Sequence, residues 1–185
     1  MNKPPPKPSS LSLRGRAIKL LAQREHSRAE LTYKLARAER RTMAKTATAD
    51  SEADDTDSTA AATQAIEQVL DQLASIGLLS DARAAAAYVR SHAARFGTAR
   101  LAHSLRTRGI DAALIEASLT QEEIEDEPTR AAAVWRSKFS QPPRDAREWA
   151  RQARFLQGRG FSSEVIRRLL KESEALLHAT GDEND

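Results

Sequence analysis

The chain has 185 residues and a formal net charge of +3, and it contains no cysteine. The lack of cysteine excludes disulfide scaffolds, zinc ribbons, iron–sulfur clusters and thiol catalysis. The four histidines are spaced too widely for a local pair of metal ligands, and no uncharged apolar run approaches the roughly 18 residues of a membrane helix. Because the first residues also lack the apolar core of a secretory signal, we expect a soluble, cytoplasmic protein.

Alanine dominates the apolar composition. It accounts for 34 residues, against seven glycines and eight aromatic residues. Alanine is the best helix former, and its small side chain lets helices approach one another closely. The composition therefore predicts an all-α protein of many short helices with thin cores.

Charge is distributed in blocks along the chain. Basic segments at 1–45, 83–110 and 130–171 carry twelve, six and eleven Lys or Arg residues, and each is followed by an acidic segment. Solvated helix faces usually mix their signs, so this segregation indicates a surface that meets nucleic acid or an acidic protein groove. The alternative is an arginine-rich chain whose charges lie on ordinary solvated faces.

The chain begins with a proline-rich segment, residues 1–10, which is predicted to be disordered or polyproline-like. Ser9 or Ser10 can then cap a first helix over 11–25. At 100° per residue, the leucines of this helix fall on one face, and its basic residues lie on the opposite face.

A capping box and a long insertion follow. Ser27 and Glu30 have the spacing of a capping box, which opens a second helix over 28–38. Residues 38–62 show no apolar period and contain five acidic residues within eight positions. We expect this insertion to be a flexible acidic loop with a frayed helix end.

Seven further helices are predicted after the insertion. Gly77 and Gly109 end two of them, because glycine readily takes the left-handed conformation of helix C-termini. Asp81, Asp111 and Asp145 are expected to cap three of them. The seven predicted helices cover residues 63–76, 82–95, 98–108, 112–119, 129–140, 145–158 and 163–178.

The last two triplets of helices align at a constant offset of 51 residues. Units of about 50 residues are too small to bury independent cores, so they should stack on their neighbours. We expect three three-helix units, over 11–79, 80–122 and 128–178, in an elongated, curved array with a disordered acidic tail at 179–185. The matched positions are Leu105 and Leu156, Gly109 and Gly160, Ile110 and Phe161, Asp111 and Ser162, Ile115 and Ile166, and Leu119 and Leu170.

Four segments of the chain resemble the RecX family, bacterial regulators of the RecA recombinase. The resemblance covers about residues 11–172, with the elements in the order typical of the family. The family usually closes the second helix of its first unit with a short basic-Gly-aromatic turn, and here the acidic insertion takes that place. The four segments are REHSRAEL (24–31), SIGLLSDARAAAAYVRSH (75–92), GTARLAHSLRTRGID (97–111) and RQARFLQGRGFSSEVIRRLL (151–170).

This resemblance implies a fold, a partner and a non-enzymatic activity. The fold is three tandem three-helix units of helix-turn-helix-like topology. The activity is binding within the groove of the RecA–DNA filament, which restrains ATP hydrolysis, strand exchange and coprotease activity in DNA repair and the SOS response. We expect a monomer that contacts RecA and the phosphates of single- or double-stranded DNA.

The basic helix faces are the predicted binding residues, because the planar guanidinium group suits two-point contact with phosphates and carboxylates. On the helix over 145–158 three arginines fall within about 60° of each other, opposite its apolar face. Phe155 lies near this stripe and is expected either to pack on a neighbouring unit or to stack on a base. The candidates for filament or nucleic-acid binding are Arg16, Lys19, Arg28, Arg100, Arg106, Arg147, Arg151, Arg154, Arg159, Arg167 and Arg168.

No catalytic, cofactor or metal site is predicted. The chain has no glycine-rich phosphate loop, no Ser–His pair with suitable spacing, and paired acids only in a solvated linker. A second interpretation is a standalone DNA-binding protein, transcriptional or architectural, built from the same helical units. A sequence-specific reader would mix Arg with Asn or Gln on its exposed helix, whereas the faces here are almost purely Arg. A structural adaptor with no DNA partner is a third, weaker alternative.

Overall fold

The computed structural model describes residues 11–46, 55–121 and 123–181. Within these ranges it contains nine α-helices, one short 3₁₀ helix and no strand, so the predicted all-α class is confirmed. None of the described helices is both long and apolar enough to cross a bilayer. The α-helices are α1 (Leu13–Leu21), α2 (Arg28–Thr46), α3 (Asp55–Ser75), α4 (Asp81–His92), α5 (Thr98–Arg106), α6 (Ala112–Gln121), α7 (Glu127–Lys138), α8 (Ala146–Gly158) and α9 (Ser163–Gly181), and the 3₁₀ helix is Ala93–Arg95.

The chain divides into two compact units, Met1–Ala84 and Ala85–Asp185. The first unit contains α1 to α3 around one apolar core. The second unit contains most of α4 together with α5 to α9, and it has two separate cores. Each core is enclosed by one triplet of helices, so the predicted tandem repeat of three-helix units is confirmed.

The first unit is closed by leucines of all three helices. The cap of α1 differs from the prediction, because the Oγ of Ser12 accepts the backbone N–H of Gly15 at 3.1 Å. Ser9 and Ser10, which were predicted for this role, lie outside the described residues. All three serines have the same capping chemistry, and packing of the helix on its neighbours selects among them. The buried core residues are Ala17, Leu31, Leu35, Ile66, Leu70, Leu73 and Leu79.

The predicted capping box at the start of α2 is confirmed. The backbone N–H of Glu30 donates to the Oγ of Ser27 at 3.1 Å, and the backbone N–H of Ser27 donates to the Glu30 carboxylate at 3.3 Å. A third contact at this helix end was not predicted. A carboxylate oxygen of Asp81 accepts the backbone N–H of Arg28 at 2.7 Å.

The prediction that Asp81 caps α4 is therefore wrong. Ser80 has that role, since its Oγ accepts the backbone N–H of Arg83 at 3.3 Å and its carbonyl oxygen accepts that of Ala84 at 3.0 Å. The Asp81 carboxylate stabilises the N-terminus of α2 instead, where unpaired N–H groups and the positive end of the helix dipole favour an anion. Sequence spacing alone does not reveal such a contact between distant segments.

The predicted flexible loop over 38–62 is wrong at both ends. Helix α2 continues to Thr46 and α3 begins at Asp55, so only residues 47–54 are not described. The prediction relied on the missing apolar period. A helix does not need an apolar face where residues of high intrinsic propensity are frequent. Residues 38–46 contain alanine, arginine, glutamate and methionine, and residues 60–62 are all alanine.

The second unit has two cores of similar size. Leucine, isoleucine and small residues fill the first, whereas Trp135 and Phe161 add aromatic bulk to the second. Trp135 donates its indole N–H to the amide oxygen of buried Gln152 at 2.7 Å, which ties α7 to α8. The first core comprises Ala85, Val89, Ala93, Leu101, Ala102, Leu105, Ile110 and Ile115, and the second comprises Ala131, Val134, Trp135, Leu156, Phe161, Ile166 and Leu170.

The repeat at an offset of 51 residues appears directly in the turn geometry. Gly109 and Gly160 both take positive φ, at 70° and 83°. In both turns the residue after the glycine donates its N–H to the carbonyl oxygen five residues earlier, Leu105 or Leu156, at 3.2 and 3.3 Å. This is the Schellman geometry of a helix C-terminus, and it explains why both repeats keep glycine here.

The predictions for the two chain ends fall largely outside the described residues. Residues 1–10 and 182–185 are not described. The predicted disordered tail over 179–185 is wrong at its start, because α9 extends to Gly181. Residues 171–179 contain neither glycine nor proline, so nothing in the sequence breaks the helix there.

Candidate nucleic-acid interface

A buried arginine joins the second and third helical triplets within the second unit. Arg130 of α7 is only 4% exposed. Its Nη1 donates to the carbonyl oxygens of Ala93 (3.1 Å) and Phe96 (2.6 Å), its Nε to that of Glu125 (2.9 Å), and its Nη2 to the Oγ1 of Thr98 (3.3 Å). Burial lowers the pKa of the Arg130 guanidinium, but the group stays charged because arginine ionises far above neutral pH. These acceptors offset the cost of burying the charge.

The N-terminus of α5 completes this joint. The Glu127 carboxylate accepts the backbone N–H of Thr98 at 3.0 Å, and the Arg159 carbonyl accepts that of Gly97 at 3.0 Å. A Cβ on Gly97 would lie 2.2 Å from the carbonyl oxygen of Gly160, so only glycine fits at this backbone crossing. The free N–H groups of α5 are thus satisfied by the last three helices, which fixes the two triplets against each other.

The joint gathers three guanidinium groups around one aromatic ring. The Cζ atoms of Arg100, Arg95 and Arg159 lie 4.6, 5.7 and 5.9 Å from the centroid of Phe96. Arg100 also donates from Nη1 to the carbonyl oxygen of Gly158 at 2.6 Å. Cations at these distances are attracted by the ring face, which partly offsets their mutual repulsion. The structure therefore brings together Arg100 and Arg159, both predicted, with Arg95, which was not.

The ring of Phe96 belongs to a longer series of aromatic contacts along α4. Tyr88 stacks on His92, with ring centroids 4.0 Å apart and an interplanar angle of 18°, and His92 stacks on Phe96 at 6.3 Å and 16°. Arg108 lies over the Tyr88 ring, its Cζ 4.2 Å from the centroid. The C-terminal end of α4 thus carries stacked, half-buried rings with a guanidinium group at each end.

The contacts continue into the last triplet through Arg159. Its Cζ lies 5.1 Å from the centroid of Phe155, and Phe155 meets Phe139 edge-on at 5.3 Å. Arg151 follows, with its Cζ 5.9 Å from the Phe139 centroid. We call this continuous set the aromatic–arginine row; it comprises Tyr88, His92, Phe96, Phe139 and Phe155 with Arg95, Arg100, Arg108, Arg151 and Arg159.

The row ends at the basic face of α8. Arg147, Arg151 and Arg154 are all exposed, whereas Leu156 of the same helix is fully buried, as the helical period predicts. Arg151 is 63% exposed and only 3.9 Å from the nearest oxygen of Glu148, which is a weak, solvent-screened pair. A polar cavity of about 320 Å³ opens beside Arg151, lined by Lys138, Phe139, Ser140, Gln141, Pro142, Arg144, Glu148 and Gln152.

Three predicted residues of the second unit lie elsewhere. Arg106 is exposed and lines a cavity of about 420 Å³ between α5 and α6, which also includes Glu116. Arg167 and Arg168 are exposed on α9, where Nε of Arg168 lies 3.8 Å from the Glu172 carboxylate. None of the contacts described for this unit connects these arginines to the row.

The predicted residues of the first unit have different surroundings. Arg16 forms an ion pair with Glu39 at 2.7 Å, and Lys19 is exposed beside it on α1. Arg28 pairs with the carboxylates of Glu67 and of Asp71, the latter at 2.8 Å. The hydrogen bond that Arg28 donates to the Glu67 carboxylate raises the pKa of the Arg28 guanidinium above its ordinary value. These contacts favour a structural role for Arg28 over the binding role predicted for it.

Two residues of the second unit, Arg130 and Arg95, were not among the predicted site residues, although the sequence holds a signal for each. Arg130 lies four residues before Val134, so it falls on the buried side of α7, and a charge on a buried face indicates a specific polar joint. Arg95 directly precedes Phe96 at the end of a predicted helix. Neither signal identifies its partners, because these come from segments about 30 to 65 residues away in the chain.

Two stretches of the chain match models of one protein family. Residues 80–119 match the second three-helix domain of RecX, and residues 125–170 match its third three-helix domain. Curated proteins named "Regulatory protein RecX" match over most of the chain. The protein from Leptothrix cholodnii is 44% identical over 161 residues, covering 87% of this chain and 88% of the relative. That from Ralstonia nicotianae is 39% identical over 176 residues, covering 94% of each.

Solved structures show the same fold. A crystal structure titled as RecX from Lactobacillus salivarius aligns with a TM-score of 0.61 at 18% identity, covering 88% of this chain and 95% of that one. A second, titled as regulatory protein RecX, aligns with a TM-score of 0.58 at 21% identity, covering 85% and 70%. At such identities the structures support the fold alone, whereas the curated relatives decide the family. The chain belongs to the RecX family of regulatory proteins.

Proposed function

We propose that the protein binds the RecA–DNA filament and inhibits the recombinase, ATPase and coprotease activities of RecA, without catalysing a reaction itself. Membership of the RecX family supports the regulatory role. The aromatic–arginine row supports the mode of binding, with its guanidinium groups directed at DNA phosphates. The row thus becomes the main contact with nucleic acid in the second unit.

The observation that carries this proposal is the crowding of Arg95, Arg100 and Arg159 around Phe96. Three cations within 6 Å of one ring centroid repel each other, and none of their described contacts is with a carboxylate. Such a cluster gains most when phosphates neutralise it and condensed counterions are released. The rings between the cations hold the guanidinium groups in place through cation–π contacts.

The chemistry of the row favours backbone contact over base reading. Arginine binds phosphate through two parallel hydrogen bonds, whereas sequence readers combine it with Asn or Gln aimed at base edges. The row contains neither of these amides, and its two exposed arginines beside Phe96 come from separate elements rather than from one recognition helix. A filament regulator that acts on any sequence needs this kind of contact.

The test is an ATPase titration of a RecA-type recombinase on single-stranded DNA. The variant replaces Arg95, Arg100 and Arg159 with alanine. Its matched control replaces Arg14, Arg40 and Arg136, which are exposed and lie outside the row, so that both proteins lose three charges. We expect the wild type and the control to inhibit below a 1:1 ratio to RecA, and the row variant to need at least tenfold more protein. Equal inhibition by all three, with helicity and melting unchanged, would contradict the proposed role of the row.

A standalone DNA-binding protein is the second candidate, because the aromatic–arginine row needs no RecA to bind DNA. The same titration separates the two. A filament regulator inhibits well below the concentration needed to coat the DNA, whereas a competitor for DNA inhibits only when the DNA is covered. Inhibition that scales with DNA length, and not with RecA concentration, would favour the second candidate.

A further inference from the structure

A groove in the first unit has a composition that the aromatic–arginine row does not share. It runs between α1 and the middle of α2 and has a volume of about 490 Å³. From Tyr33 to Arg41 the α2 side spans nine residues, whose eight steps of 1.5 Å make about 12 Å, slightly more than two turns of a helix. The residues that line it are Leu11, Arg16, Lys19, Leu20, Gln23, Tyr33, Lys34, Leu35, Arg37, Ala38 and Arg41.

The floor of the groove is apolar. The half-buried Leu20 forms its base above the buried core residue Leu35, and Tyr33 and Leu11 flank it with 62% and 51% of their surface exposed. Tyr33 has the highest exposed fraction among the exposed large apolar side chains of the described residues. Covering these groups removes apolar surface from water, which stabilises a complex by about 25 cal/mol per Å².

The rim of the groove is basic. It carries five Lys or Arg side chains, and no carboxylate is among the described residues that line it. Two of the cations have partners, because Arg16 pairs with Glu39 and Nζ of Lys34 lies 2.7 Å from the ring nitrogen Nε2 of buried His26. The other three cations, Lys19, Arg37 and Arg41, are exposed along the two edges.

We propose that this groove binds an acidic amphipathic helix of a partner protein. The apolar side of such a helix covers Leu11, Leu20 and Tyr33, and its carboxylates meet Lys19, Arg37 and Arg41. Binding of an amphipathic helix in an apolar groove is a common mode of peptide recognition, with anchors at i, i+3 or i+4, and i+7. The proposal goes beyond the contact with DNA, since it assigns the first unit a protein ligand.

The leucine floor distinguishes this ligand from nucleic acid. Bases stack on flat aromatic or guanidinium faces, and the groove offers one aromatic ring among branched aliphatic groups. Charged phosphates gain nothing from contact with Leu11 or Leu20. Five aromatic rings interleaved with arginines, as in the second unit, are the arrangement suited to nucleic acid.

The test uses the full-length protein and a fluorescent 14-residue helical peptide with leucines at i, i+4 and i+7 and glutamates at the positions that flank this leucine stripe. A scrambled peptide of the same composition is the ligand control. We expect the ordered peptide to bind in fluorescence anisotropy at least tenfold more tightly than the scrambled one. The double variant Lys19→Glu and Arg37→Glu should weaken binding at least tenfold, and Tyr33→Ser about threefold to tenfold.

The matched protein control is the double variant Arg14→Glu and Arg40→Glu. It places the same charge changes on the same two helices, at exposed positions that do not line the groove. We expect this control to bind the peptide within twofold of the wild type. The row variant of Arg95, Arg100 and Arg159 should also bind the peptide with wild-type affinity. Because the groove and the row share no residue, a peptide that does not bind the groove would leave the proposed DNA contact unaffected.

Four results would overturn the proposal. Equal losses in the groove and control variants would show general electrostatic attraction, and equal affinity for the scrambled peptide would show that no helix face is recognised. If oligo(dT) displaces the peptide, and if the groove variant weakens oligo(dT) binding whereas the control variant does not, the groove belongs to nucleic acid. Concentration-dependent self-association that Tyr33→Ser abolishes would assign it to a second copy of the chain.

Discussion

Two groups of arginines, one in each compact unit, have opposite surroundings. In the first unit, Arg16 and Arg28 point at carboxylates of neighbouring helices and form ion pairs. In the second unit, Arg95, Arg100 and Arg159 share one aromatic ring, and their described polar contacts are with carbonyl oxygens. Neither the net charge of a segment nor the position of an arginine on its helix distinguishes the ion-paired arginines from the clustered ones. A guanidinium group whose charge is neutralised within the fold supports the fold, whereas one held beside other cations remains available to an external anion.

The difference between the units concerns arginines alone, so truncating a buried leucine should destabilise both units by similar amounts. Leu70→Ala in the first unit and Leu105→Ala in the second remove fully buried side chains and leave cavities. We expect each to lower the free energy of unfolding by about 2–4 kcal/mol, measured by urea denaturation. Leu78→Ala, at an exposed position, should cost far less. A loss below about 1 kcal/mol at Leu105 would mean that α5 is misoriented.

Arg130 departs from this division. It has no ion pair among its described contacts, yet it is buried and supports the fold of the second unit. Arg130→Met removes the donor to the buried carbonyl groups of Ala93 and Phe96. Unsatisfied buried acceptors cost roughly 1–3 kcal/mol, so we expect a loss of about 2 kcal/mol in urea denaturation. The control Arg136→Met, at an exposed position of the same helix, should change stability by less than about 0.5 kcal/mol.

We expect substitution of Arg28 to affect stability and substitution of Arg100 to affect filament binding. Arg28→Met removes two partly exposed ion pairs and should cost about 0.5–1 kcal/mol of stability while leaving the affinity for a RecA–DNA filament unchanged. Arg100→Met should weaken filament binding severalfold with a smaller effect on stability. Denaturation curves and filament co-sedimentation measure the two quantities. If Arg28→Met weakens filament binding as much as Arg100→Met, the distinction between the units is wrong.

The smallest expected effect is a loss of stability at acidic pH, caused by protonation of His26 in the first unit. Burial lowers the pKa of His26 below its ordinary value of 6.5, helped by the nearby charges of Arg24 and Lys34 and opposed by Glu30. The unfolded chain therefore binds this proton more readily, so the contribution of His26 to stability is full above pH 6.5 and is lost as the pH falls from there through the lower pKa of the folded state.

Unfolding free energies at pH 7.5 and 5.5 test this expectation. The wild type should lose stability between the two values, and His26→Gln should lose less. His103→Gln, at an exposed position, should behave as the wild type. An equal loss in His26→Gln would show that other groups cause the acid sensitivity.

Local signals predicted much of the fold correctly. The capping box of Ser27 and Glu30 and the matched turns at Gly109 and Gly160 depend on residues within one turn of each other. Such contacts follow from backbone geometry alone. The ends of α2 and α3 were predicted poorly, because propensity without an apolar period was read as a loop.

The candidate site was predicted only in part, for a different reason. Arg100 and Arg159 were singled out from exposed helix faces, and that exposure follows from the helical period. Their meeting at Phe96 depends on Arg130 and on the close approach of Gly97 to Gly160, which are contacts between residues far apart in the chain. No local pattern encodes such a joint.

The central claim is that the guanidinium cluster of the second unit contacts phosphates. Its most direct test is the salt dependence of binding to a RecA filament on single-stranded DNA, measured for the wild type, the Arg95, Arg100 and Arg159 alanine variant and the Arg14, Arg40 and Arg136 control. Each lost contact with a single-stranded phosphate reduces the slope of log K against log salt by about 0.7, so the row variant should lose about 2 from the slope and the control almost nothing. Equal slopes for all three proteins would contradict the account.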